Sequence, residues 1–109
     1  MSNDSTFIFQ TLKSILTELN IHYSAVYLFG SRARGTANID SDWDFIVVVN
    51  DALSDYDRRL LKAQVRMKFH DSLDASGIDI IIKSETTFSR EKSQRNTISY
   101  DAAKYGVHV

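Results

Sequence analysis

The chain has 109 residues, 43% of them hydrophobic and 25% charged, the size and composition of one globular domain with a single core. Thirteen basic residues stand against 14 acidic ones, a formal charge of −1, so bulk electrostatics favour neither a nucleic acid nor a membrane surface as partner. Cysteine is absent, which excludes a disulfide framework and thiolate metal sites and fits a reducing cytoplasm.

No apolar stretch approaches the length of a membrane span, and Met1-Ser2-Asn3-Asp4 lacks the basic and apolar regions of a secretion signal. The expectation is a cytoplasmic protein with one domain over residues 1–109. Residues 5–20 predict an amphipathic helix: Ile8, Leu12, Ile15, Leu16 and Leu19 recur at helical spacing, Ser5 or Thr6 can cap its start, and Asn20 can stop it. Tyr23 to Phe29 reads as a strand. Phe45 to Val49, five consecutive apolar residues, reads as a central strand covered on both faces and ended by Asn50-Asp51.

Ser54 to about Leu73 predicts a second long helix, with Ser54 and Asp57 in capping-box form and Leu61, Val65 and Phe69 on one face. Arg58, Arg59, Lys62, Arg66 and Lys68 occupy much of the remainder. With no aromatic residues interleaved, they read as a solvated face rather than an RNA-binding one. Gly77 introduces a third strand, Ile78 to Lys83. From Glu85 the chain reads as helical, with a break near Asn96-Thr97 and a stop at Gly106, before a brief strand at Val107-His108-Val109. The fold class is α/β, a small mixed sheet with flanking helices.

The unusual chemistry is concentrated in Gly30-Ser31-Arg32-Ala33-Arg34-Gly35 and in Ser41-Asp42-Trp43-Asp44, just before the apolar run. Asp42 and Asp44 leave the same face of an extended chain, with Trp43 on the other. Asp79 interrupts the third strand, and if that strand lies beside Phe45 to Val49, three acids meet on one face. Two unit negative charges about 4 Å apart repel by about 4 kcal/mol at an effective dielectric near 20. A shared proton or, more fully, a hard divalent cation such as Mg²⁺ relieves that repulsion. Each acid also has a plain structural reading: Asp42 as a turn residue, Asp44 as an incidental strand start, Asp79 as a solvent-facing residue of an edge strand. Gly30 permits close backbone approach to a ligand, Ser31 offers a hydroxyl and an amide suited to phosphate oxygens, and Arg32 and Arg34 can add charge-assisted bonds. His22, His70 and His108 have no ligand spacing.

Gly30-Ser31, ten residues, then Asp42-x-Asp44 resembles the signature of the DNA polymerase beta-type nucleotidyltransferase superfamily. Gly-Ser-Arg-Ala-Arg-Gly-Thr-Ala followed by Ser-Asp-x-Asp is similar to the minimal nucleotidyltransferases (MNT proteins), over roughly residues 8–109. The resemblance implies that Asp42, Asp44 and Asp79 bind two Mg²⁺ ions and that Gly30 and Ser31 hold the β- and γ-phosphates of ATP, with Arg32 or Arg34 against the triphosphate. An acceptor hydroxyl would attack the α-phosphorus and release pyrophosphate. MNT proteins of this size are similar to the antitoxins of HEPN–MNT pairs, which implies transfer of AMP to a tyrosine of a HEPN ribonuclease toxin within a hetero-oligomer. Direct nucleic-acid binding and a membrane partner are not expected. The alternatives are a transferase acting on a small hydroxylated acceptor such as an aminoglycoside, and a non-catalytic antitoxin that masks its toxin.

Overall fold

The computed structural model describes residues 3–37, 42–50, 53–72 and 77–109; Ser41, Asp51 and Leu73 lie outside them. Helix α1 (Asn3–Glu18) buries Leu12 and Leu16 completely, with Ile8 and Ile15 nearly so, which accounts for its apolar stripe. Full burial of such a side chain is worth about 1.5–3 kcal/mol, so this stripe rather than local propensity holds the helix. The helix starts earlier than expected, leaving Ser5 and Thr6 within its first turn rather than at a cap. Asn20, at a φ of 57°, turns the chain out of it into β1 (Tyr23–Phe29).

The segment after β1, expected as a loop, is one helical turn, α2 (Ser31–Arg34), whose Ala33 and Arg34 amides both donate to the Gly30 carbonyl at 3.2 Å. Strand β2 (Trp43–Val49) begins two residues before the apolar run and is buried at every position except Asp44. Helix α3 (Asp55–Ser72) is capped by the Ser54 hydroxyl, which accepts from the Asp57 amide at 3.1 Å. Strand β3 (Ile78–Ser84) leads through the Ser84 cap, bonded by the Thr87 amide, into α4 (Glu85–Glu91). The expected break spans residues 92–97; Thr97 then caps α5 (Ile98–Tyr105), and Gly106 ends it before β4 (Val107–His108).

The sheet is mixed, in the order β3-β2-β1-β4, with β2 parallel to β3 and antiparallel to β1. Alternation along the strands gives it two different faces. Trp43, Phe45, Val47 and Val49 pack with Ile78, Ile80 and Ile82 against α1 and α3. Ile46 and Val48 face Phe88 of α4 and Ala102 of α5 in a smaller cluster. Asp44 and Asp79 belong to this second face by register parity, two residues before Ile46 and Ile81 on their strands. Among the described residues no helix is long and apolar enough to cross a membrane.

Candidate active site

Parallel pairing puts Asp44 directly beside Asp79, with Phe29, the last residue of β1, opposite Asp44 on the other side. Neighbouring strands lie about 4.8 Å apart, so the carboxylates of Asp44 and Asp79 leave adjacent backbones on one face. Asp42 stands just ahead of β2, and the Trp43 amide donates to the Gly77 carbonyl at 2.7 Å, extending the pairing to the Gly77 side. Asp44 and Asp79 are therefore register neighbours, and Asp42 precedes Asp44 by two residues at the start of β2.

Two glycines make room for them. Gly30 has a φ of 77° and a ψ of −159°, a conformation that side chains with a Cβ rarely adopt, and a Cβ there would stand 2.5 Å from Asp44 Oδ2. Gly77, at a φ of 78°, likewise leaves space that Asp42 Oδ1 occupies. One glycine thus lies under each carboxylate of the Asp-x-Asp pair. The first was singled out from the sequence; the role of Gly77 was not, because only the β2–β3 register brings it to Asp42.

The electrostatics match this crowding. Asp44's carboxyl is raised above its ordinary pKa, first because it is partly withdrawn from water and then because Asp79 and Asp42 stand nearby. No hydrogen-bond donor or cation among the described residues is paired with it. Asp79 is half exposed and has a partner that the sequence did not reveal: Lys62 of α3 brings its Nζ within 3.5 Å of Asp79 Oδ1. The edge-strand reading of Asp79 is thus right about its exposure, since β3 borders the sheet, yet it still adjoins Asp44.

Among the described residues no three His, Asp or Glu side chains are gathered closely enough to form a ready-made metal site. By donor chemistry the three acids fit a hard divalent cation, since every group is a carboxylate, and the Asp44 carboxyl is raised by burial first and by Asp79 and Asp42 next.

The two arginines of α2 diverge. Arg32 lies over the Trp43 ring, 4.0 Å from its centroid, tying the turn to the strand that carries both acids. Trp43 itself is buried against Phe9 with ring centroids 6.4 Å apart, on the face opposite Asp44, as alternation predicted. Arg34 instead reaches Asp101 of α5 at 3.8 Å, an exposed pair that leaves it easily redirected. The three histidines are exposed, and His108 packs on Tyr27.

A family model described as a nucleotidyltransferase domain matches residues 10–105, nearly the whole chain. Several solved structures share the fold. A toxin–antitoxin complex with AMP-PNP contains a chain 23% identical, at a TM-score of 0.61, over 91% of this chain and 69% of that one. A variant of the toxin–antitoxin MntA–HpeT is 23% identical at 0.58, over 100% and 72%. A proposed nucleotidyltransferase from Sulfolobus solfataricus is 23% identical at 0.57, over 91% and 72%. No curated protein matches. With the glycine-serine turn at the end of β1, the Asp-x-Asp pair opening β2 and the third acid beside it on β3, the chain belongs to the nucleotidyltransferase domain family.

Proposed function

We propose that this domain transfers AMP from ATP to a tyrosine hydroxyl of a HEPN-type toxin and thereby serves as its antitoxin. The observation that carries the transfer chemistry is Asp44, set against Gly30 and beside Asp79 on the neighbouring strand, with its carboxyl raised by burial and by the two other acids. The likeness to chains of toxin–antitoxin complexes, one with AMP-PNP, supports the antitoxin role.

Gly30 and Ser31 receive the β- and γ-phosphates, because a glycine without a Cβ lets backbone come close to the ligand and the serine adds a hydroxyl. Arg34 is the arginine assigned to the triphosphate: Arg32 is engaged with Trp43 on the far face, whereas the exposed Arg34–Asp101 pair costs little to break. Asp42, Asp44 and Asp79 would hold two Mg²⁺ ions, which supply charge neutralisation at the triphosphate and the attacked phosphorus. Asp79, on the sheet-bordering strand β3, takes the proton of the incoming hydroxyl. The acceptor oxygen then forms its bond to the α-phosphorus while the bond to the bridging pyrophosphate oxygen breaks. A cytoplasmic setting belongs to this reading, supported by a chain without cysteine.

Incubation of the protein and a HEPN toxin with α-labelled ATP and Mg²⁺ tests this. Label on a toxin tyrosine, lost with Asp44→Asn, is the expected result. Toxin silenced by the Asp42→Asn/Asp44→Asn protein, with no modified tyrosine by mass spectrometry, would show masking instead.

A further inference from the structure

An open groove of about 380 Å³ runs between α3 and β3, and its lining is strongly basic. Arg58, Arg59 and Lys62 border it from the helix and Lys83 from the strand, against one acid, Asp55. Ile80, Ile81 and Ile82 of β3 complete its lining. Among the described residues no strand lies beyond β3, so the groove follows an open sheet edge with hydrogen-bonding groups to offer. It also leads to the site, because Lys62 belongs to both its wall and the Asp79 contact.

We infer that this groove docks an extended, acidic segment of the acceptor protein, added to β3 as a further strand, so that its hydroxyl arrives beside Asp79. The inference rests on the acceptor being a protein. The open edge supplies main-chain pairing, and the arginines and lysines supply charge complementarity. The basic side chains have internal partners: Arg58 pairs with Asp55, Lys62 with Asp79 and Lys83 with Glu91, while Arg59 donates to the Asp55 carbonyl. The pairs on α3 are exposed and exchange readily for an incoming carboxylate. A nucleic acid fits less well, since no aromatic residue lines the groove for base stacking and the chain carries no excess of basic residues.

The test is fluorescence anisotropy of a labelled peptide of alternating glutamate and threonine, titrated with the full chain. Binding should weaken by about tenfold or more with Arg58→Glu/Arg59→Glu. Methylating every second peptide nitrogen should abolish binding in one register and spare it in the other, since only one row of amides faces β3. Both protein and fold are untouched in that arm. Equal binding of a lysine-for-glutamate peptide, indifference to methylation in both registers, absence of peptide binding, or preferential binding of single-stranded RNA would each overturn the inference. Asp44→Asn should keep peptide affinity while losing label transfer. Peptide binding by an unaltered protein that transfers no label to the toxin sinks the enzymatic reading alone, and toxin labelling that ignores the Arg58/Arg59 reversal sinks the docking reading alone.

Discussion

Asp44 and Glu91 stand on the same side of the sheet, and their acidities move in opposite directions. Glu91 is lowered, chiefly by its bond from Lys83 at 3.0 Å and further by Ser99, whose buried hydroxyl donates to it at 2.9 Å. Asp44 is raised by burial and by two other acids. One carboxylate is satisfied by the fold, and the other is left for something the fold does not contain. A structural acid contributes stability; a site acid costs some and keeps its charge available for a ligand.

Replacing Asp44 should therefore have the largest and most divided effect. Asp44→Asn is expected to cut transfer by about a hundredfold or more, yet to raise the unfolding temperature of the metal-free protein at neutral pH. The sign follows from linkage: the folded state holds the Asp44 proton above 3.8, so stability falls as pH rises from that value through the raised one, and the amide removes this loss. Thermal melts at two pH values, run with transfer assays, would check both halves. A melting temperature lowered by the amide would break the contrast with Glu91.

Gly30→Ala comes next. The new Cβ meets the Asp44 carboxylate in a backbone conformation that alanine avoids, at a cost of about 1–3 kcal/mol, with transfer lost alongside. Urea midpoints would measure the first and labelling the second.

Ser99→Ala probes the satisfied acid. It should destabilise by about 1 kcal/mol without touching transfer, because it removes a buried donor far from the Asp44–Asp79 pair. Glu91→Gln should flatten the acid limb of the stability profile. Glu91's lowered acidity contributes stability above its unfolded value of 4.5, and that contribution disappears as pH falls through the folded value. Ser84→Ala, which removes the α4 cap and the Ser84 hydroxyl's bond to the Thr87 hydroxyl, should cost about 1 kcal/mol and leave both acids as they are.

Much of this was legible in the sequence. The apolar spacing of Ile8 to Leu16, the unbroken run to Val49 and the Ser54 and Gly106 boundaries are local signals, and each emerged near its expected place. The glycine-serine turn and the Asp-x-Asp pair could also be read directly, because strand alternation alone separates the acids from Trp43. The one-turn helix at Ser31 was missed, since its hydrogen bonds to Gly30 follow from a backbone angle that composition does not disclose.

Register and packing across distant segments belong to the tertiary structure alone. Parallel pairing of β2 with β3 sets Asp79 beside Asp44 and Gly77 under Asp42. Docking of α3 on the sheet face beside β3 brings Lys62 to Asp79 and turns a basic helix face, read from sequence as merely solvated, into one wall of a groove. The physical reason is the same in each case. Spacing along the chain determines which side chains share a face, but Coulomb interactions and steric room depend on which faces meet, and only the folded chain decides that.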